Sequence, residues 1–194
     1  MTRISLLDIA HAVIGDFLTP GDIAVDATLG NGHDALFLAQ CVGASGQVFG
    51  FDIQQQALSK TYQRLLEHDL QTRVTLCLGS HADMLLHIPA AWQGRVGAVM
   101  FNLGYLPGAD KAVITQIDST LAALNAACNL LAPHAVMTVL AYPGHAGGDV
   151  EAESLLDWCK QLDSACFTWE LLLSNHDKAD APRLFVIRKR FDLL

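Results

Sequence analysis

Apolar positions in this chain recur with two different periods, and the two alternate along its length. Short runs rich in β-branched and aromatic residues, IAVDA (23–27), QVFGFD (47–52), VTLCLG (74–79), VGAVMFN (96–102) and AVMTVLAY (135–142), read as strands. Between them, HDALFLAQC (33–41), QQALSKTYQRLLEH (55–68), SHADMLLHI (80–88) and AVITQIDSTLAALNAACNLL (112–131) repeat their apolar residues at helical spacing. MTRISLLDIAHAVIGDFL (1–18) predicts an amphipathic helix with Asp8 and His11 set into its apolar pattern, and TPGD (19–22) turns the chain into the first strand. VEAESLLDWCKQL (150–162) predicts one more helix. CFTWELLLS (166–174) and APRLFVIRKR (181–190) follow each other with no helix between them, which reads as an antiparallel hairpin.

Such alternation requires a parallel sheet with helices on both faces. A mostly parallel, seven-stranded α/β sheet closed by a C-terminal antiparallel hairpin is the Rossmann-like layout of class I methyltransferases. No linker or repeat divides residues 1–194, so a single domain is expected. A hydrophobic content of 52% argues against disorder. The longest apolar runs, about six residues, fall far short of the roughly 20 that cross a bilayer, and the N-terminal stretch lacks the unbroken apolar core of a signal peptide. Cys41, Cys77, Cys128, Cys159 and Cys166 are widely spaced and form no C-x-x-C pair, which suits reduced thiols in the cytoplasm.

The formal charge of −8 opposes sequence-blind adhesion to nucleic acid, so any RNA contact must be local. Lys178, Arg183, Arg188, Lys189 and Arg190 cluster near the C-terminus and suit either a basic patch or an edge strand guarded by charge. Metal catalysis finds no support: His81-x-Asp83 offers two ligands at most, and no H-E-x-x-H occurs. Nor does a cysteine sit at a strand-to-helix mouth, where a nucleophile would be presented.

DATLGNGHD (26–34) joins the first strand to the next helix, and Gly30-Asn31-Gly32-His33-Asp34-Ala35 fits the loose G-x-G-x-x-G/A pattern of nucleotide-binding loops. Gly30 and Gly32 let the backbone turn sharply and approach a ligand, and Asp52, at the end of the second strand, can accept two hydrogen bonds from a ribose diol. Taken alone, this allows NAD. Asp26 changes the choice, because two like charges about 4 Å apart cost roughly 4 kcal/mol at an effective dielectric near 20, and a pyrophosphate would come close to it. S-adenosylmethionine (SAM) has no phosphate, and its ammonium and sulfonium would be attracted by the same acid. Asp26 could instead cap the next helix, although His33-Asp34 are better placed for that task. Strand order puts Ser80 and His81 beside the adenine and Asp83 near its amino group, while Ser80 suits equally the N-cap of the segment it precedes.

The fourth strand ends in Asn102-Leu103-Gly104-Tyr105-Leu106-Pro107-Gly108, where the sulfonium methyl would lie. This makeup resembles the Asn-Pro-Pro-Tyr turn of amino-methylating enzymes, with Leu103-Gly104 in place of the two prolines. Acceptors on such a turn fix the N–H groups of an amine so that its lone pair points at the methyl carbon, and alignment of this kind supplies much of the barrier reduction. Turn chemistry alone is the other reading of the heptapeptide. A primary amine must lose a proton before attack, and Tyr105, Asp110 and His145 are the candidate acceptors. Asp110-Lys111 also suits the positive end of the long helix.

DATLGNGHD, FNLGYLPGADK and YPGHAGGDVE, in this order, resemble a bacterial family labelled rRNA methylases, and SNHDKADAPRLFVIRK extends the resemblance to the last strand with Ala181 where the family has a proline. That exchange is expected to loosen the loop. The resemblance implies methylation of the amine of 5-aminomethyl-2-thiouridine at the wobble position of tRNA, giving the 5-methylaminomethyl form. It further implies a SAM pocket at Asp26, Gly30, Gly32, Asp52, Ser80 and His81, with the substrate amine near Asn102 and Tyr105; Thr28, Asn31, His33, Asp34, Ile53 and Asn102 are further candidates for binding the cofactor. Lys111, Tyr142, Lys178 and Arg183 are then the candidates for holding an anticodon loop by stacking and edge contacts. The expected partner is tRNA, with no membrane, and a homodimer is one arrangement left open. Two alternatives stand beside this: methylation of another RNA base or a small amine, and a SAM- or dinucleotide-binding module without catalysis.

Overall fold

The computed structural model describes residues 4–104, 117–144, 147–175, 178 and 180–190. Its elements follow in the order α1 (Leu6–Phe17), β1 (Ile23–Asp26), α2 (His33–Cys41), β2 (Gln47–Asp52), α3 (Gln55–Leu66), β3 (Val74–Leu78), α4 (Met84–His87), β4 (Val96–Asn102), α5 (Ile117–Leu130), β5 (Leu131–Ala141), α6 (Gly148–Gln161), β6 (Phe167–Leu173) and β7 (Arg183–Lys189). The seven strands form one sheet in the order β3-β2-β1-β4-β5-β7-β6. The first five run parallel, whereas β7 pairs antiparallel with both β5 and β6. The seven-stranded α/β sheet with its C-terminal hairpin is therefore present as the hydrophobic pattern requires.

Both faces are covered, and the period-two alternation of each strand divides its side chains between two cores. Ala24, Val48, Ala98, Met100, Val136, Leu184 and Val186 pack with α1 and α2 through residues such as Ile14 and Leu38. Their strand neighbours Val25, Phe49, Val99, Phe101, Met137, Phe185 and Ile187 pack with α4, α5 and α6. Helix α1 buries Leu6, Ala10 and Ile14, one stripe at every fourth residue, and begins with a capping box between Ser5 and Asp8. The box accounts for Asp8 within the apolar pattern: its carboxylate accepts from the Ser5 N–H at 3.0 Å while Ser5 Oγ accepts from the Asp8 N–H at 3.1 Å.

Three details differ from the pattern's expectation. The segment 80–88 is a 3-10 turn, His81–Asp83, running into the single turn of α4. Helix α5 passes directly into β5 at Leu131, four residues earlier than expected, and the strand absorbs Pro133 and His134, whose φ is +64°, in a register shift against β4. The basic strand β7 is interior to the sheet, with Leu184, Phe185, Val186 and Ile187 buried, so it is not the charge-guarded edge; that place falls to β6. At Ala181 the chain gains a contact: its N–H donates to the Lys178 carbonyl at 3.1 Å, a bond no proline could make.

Candidate functional site

The carboxyl ends of β1, β2 and β4 converge on the loop that follows β1. Asp26, the last residue of β1, is fully buried. Its Oδ1 accepts from the Thr28 N–H at 3.1 Å, while Oδ2 is buried with no hydrogen-bond partner. Burial, reinforced by the charges of Asp34 and Asp52, holds this carboxyl well above the usual carboxylate range, against the Thr28 and Ala35 N–H groups that favour ionisation.

The loop spends its own donors. Gly30, at φ +51°, donates its N–H to Asp52 Oδ2 at 3.0 Å, and the Gln54 N–H donates to Asp52 Oδ1 at 2.9 Å. The Gly32 N–H donates to the Leu29 carbonyl at 2.8 Å. A pyrophosphate needs such N–H groups, and here they already serve carboxylates and a carbonyl. The expectation that both glycines clear room for a ligand is corrected at Gly32. Its φ is +77°, and a Cβ there would meet Thr61 of α3 at 2.7–2.8 Å, so the missing side chain serves helix packing. Gly32 is also the N-cap of α2, with no side-chain bond, so neither His33 nor Asp34 caps that helix. His33 is exposed, and Asn31 is tied to α3: its carbonyl accepts from Arg64 Nε at 2.8 Å and its Oδ1 from Lys60 Nζ at 3.4 Å.

Asp34 turns inward, where its Oδ1 accepts from His11 Nε2 of α1 at 2.7 Å and its Oδ2 from Asn102 Nδ2 at 3.4 Å. The Asn102 N–H donates to Thr28 Oγ1 at 2.7 Å, tying the end of β4 to the β1 loop. Tyr142, just past β5, lies close enough to Asp34 for that charge, added to burial, to push its phenol up, so the hydroxyl stays protonated at neutral pH. On the other side, His81 is buried, its Nδ1–H donating to the Ala27 carbonyl at 3.1 Å and its ring tilted against Phe101. Burial lowers its pKa, so it is a neutral strut beneath the loop. Ser80 Oγ accepts from the Ala82 N–H at 3.1 Å, the capping role open to it from sequence. Ile53 and Leu78, both more than half exposed, form an apolar rim beside Asp52.

Of the residues expected to bind substrate, Tyr142 stands at this site, Lys178 is exposed on the C-terminal loop, and Arg183 forms an ion pair with Glu153. Tyr105, Asp110, Lys111 and His145 lie outside the described residues. His11 was missed as a site residue; the only signal was a polar ring inside the apolar pattern of α1.

The residues fit SAM on two counts. Asp26, Asp34 and Asp52 gather three carboxyl groups, and the partnerless Oδ2 of Asp26 suits a cationic ligand. Each Asp52 oxygen also retains lone-pair capacity for a ribose hydroxyl. Among the described residues, no group of three or more His, Cys, Asp or Glu side chains is arranged to hold a metal ion.

Sheet order, loop and carboxyl cluster together define a class I methyltransferase fold. The chain belongs to the family described as "Putative rRNA methylase", whose model matches residues 48–188. A Clostridium thermocellum protein of the same description is 39% identical, with a TM-score of 0.91 and 97% of this chain and 100% of that one covered. A Streptococcus mutans protein described as "a putative methyltransferase", solved in complex with SAH, is 32% identical with a TM-score of 0.84, covering 96% of this chain and 98% of that one. A chloroplastic tRNA (mnm(5)s(2)U34)-methyltransferase of Arabidopsis thaliana is 37% identical over 155 residues, 75% of this chain. The chain spans 56% of that relative's length.

Proposed function

We propose that this protein is a SAM-dependent methyltransferase acting on tRNA, and that its acceptor is the primary amine of wobble 5-aminomethyl-2-thiouridine, which becomes 5-methylaminomethyl-2-thiouridine. Residues 1–194 act as one methyltransferase domain, in the cytoplasm, where its free thiols remain reduced. The observation that carries the reading is Asn102: a side-chain amide at the end of β4, its NH2 turned to Asp34 and its carbonyl left for a substrate N–H.

Bound SAM supplies an electrophilic methyl group. Asp26 would hold the cationic part of the cofactor, Asp52 would accept from its ribose, and the Ile53–Leu78 rim would cover its adenine. Asn102 Oδ1 accepts one N–H of the neutral amine, which orients the nitrogen lone pair toward the methyl group. Tyr142, protonated, packs against the substrate base. The proton lost from the alkylammonium goes to Tyr105, Asp110 or His145. An anticodon loop with splayed bases needs only a few basic contacts, for which Lys111 and Lys178 are the candidates.

The test is incubation of the protein and labelled SAM with tRNA lacking only this methyl group, with rRNA and small amines in parallel, followed by nucleoside analysis. The methylaminomethyl nucleoside is expected from tRNA alone. Label in an rRNA base or a small amine, with none in tRNA, overturns the substrate assignment.

A further inference from the structure

The Asn102 amide is held by Asp34, which is held in turn by His11, both far from it in sequence. Asn102 Nδ2 donates to Asp34 Oδ2 at 3.4 Å, and His11 Nε2 donates to Asp34 Oδ1 at 2.7 Å. A carboxylate only accepts, so chemistry fixes both orientations: the amide must turn its NH2 toward Asp34, and His11 must carry a proton on Nε2. The imidazole is fixed in turn, stacked on Phe37 with centroids 4.1 Å apart and 2° between the planes. The Asp34 side chain is only 8% exposed, so its two protein donors stand where water would otherwise compete. The charged groups around His11 are Asp34 from α2 and Asp8 from its own helix.

The consequence appears at the other end of the amide. With one Nδ2 hydrogen spent on Asp34, Asn102 keeps Oδ1 on the other side of the amide, free to accept a substrate N–H. An unrestrained Asn side chain turns over readily, because its terminal torsion is broad and roughly two-fold. Turned over, it would donate N–H to the amine's lone pair, the pair that must attack.

We propose that His11 and Asp34 are positioning residues that hold Asn102 in its acceptor orientation, so that the site selects a nitrogen bearing N–H. The kinetic arm of this proposal rests on the amine-methylation reading; the spectroscopic arm does not.

In full-length protein labelled with 15N at asparagine, the Asn102 side-chain amide is assigned from the signal missing in Asn102→Ala. In His11→Ala this signal should move toward the free-amide position and exchange faster with solvent, and His11→Gln, which keeps an N–H donor, should restore it. With tRNA, His11→Ala should lower kcat about tenfold and leave KM and the SAM Kd within about twofold. In an Asn102→Ala background the same change should have no further effect, because the two residues act as one unit. Circular dichroism and SAM binding confirm folding, and should His11→Ala fail to fold, His11→Asn is compared with His11→Gln by the same amide signal. An unchanged Asn102 signal in folded His11→Ala, or full multiplicative effects in the double variant, overturns the proposal. An intact amide signature in a protein that does not methylate tRNA overturns the substrate reading instead and supports the relay.

Discussion

The two ends of the pocket are built by different means. At the carboxyl ends of β1 and β2, backbone N–H groups of a short glycine loop are distributed over Asp26, two residues from its donor Thr28, and Asp52, 22 residues from its donor Gly30. At the end of β4, the working groups are side chains brought together from remote places: Asp34 is 23 residues from His11 and 68 from Asn102. The first end is a scaffold of main-chain geometry, tolerant of side-chain detail except where a carboxylate is required. The second depends on the orientation of one amide. Binding should therefore respond to changes at the loop, and turnover to changes around Asn102.

The largest expected effect follows from that division. Asn102→Ala removes the acceptor that aligns the amine, and kcat for tRNA methylation should fall on the order of a hundredfold. SAM affinity by calorimetry should change by about threefold or less, since Asn102 touches the loop through its backbone N–H, which alanine keeps. Equal losses in both quantities would erase the contrast. Next in size is Gly32→Ala. The left-handed φ alone costs about 1–2 kcal/mol for a residue with a Cβ, and contact with both side-chain and backbone atoms of Thr61 must push α3 away. A stability loss of about 2–4 kcal/mol in denaturant unfolding is expected; a loss confined to SAM binding would return this glycine to the ligand.

Asp26 gives a smaller, pH-dependent effect. Its folded pKa lies above the ordinary 3.8 because burial, then Asp34 and Asp52, disfavour the charge. As pH rises past the unfolded value, the unfolded carboxyl ionises first and the folded one keeps its proton, so stability falls through this window. SAM acts in the opposite direction: a cation prefers the ionised form, binding releases the proton, and affinity rises with pH across the same range. Asp26→Asn should bind SAM about as well as wild type at low pH and roughly tenfold more weakly once Asp26 is ionised, a difference near 1.4 kcal/mol. Parallel affinity curves for the two proteins would remove Asp26 from cofactor recognition.

The same contrast decides what the sequence can disclose. Strands and most helices were readable because burial on both sheet faces imposes the hydrophobic period directly, and the glycine loop because its chemistry is contiguous. The position of Asp26 was readable too, since the apolar run before it marks the end of a buried strand. His11 was not: its partner is on another element, and α1 looks amphipathic with or without it. Gly32 was misread in part because a glycine needed for helix packing and one needed for a ligand leave the same letter. The α5–β5 junction was displaced because residues 130–136, apolar apart from His134, carry no period that separates a helix end from a bulged strand start.

The smallest predicted effect concerns RNA docking and separates two basic residues that composition alone treats alike. Arg183 Nη1 lies 2.6 Å from Glu153 Oε1, and its side chain is 17% exposed, whereas Lys178 is exposed on the loop before it. A cation neutralised by its own protein releases few counterions from a phosphate. Lys178→Ala should lower the slope of log affinity against log salt by about 1, the signature of one phosphate contact. Arg183→Ala should leave that slope unchanged, shift tRNA affinity by less than about twofold, and cost at most about 1 kcal/mol of stability, the usual worth of a partly exposed pair. If Arg183→Ala lowers the slope as much as Lys178→Ala, the Glu153 pair opens when RNA binds, and the C-terminal strand belongs to the docking surface after all.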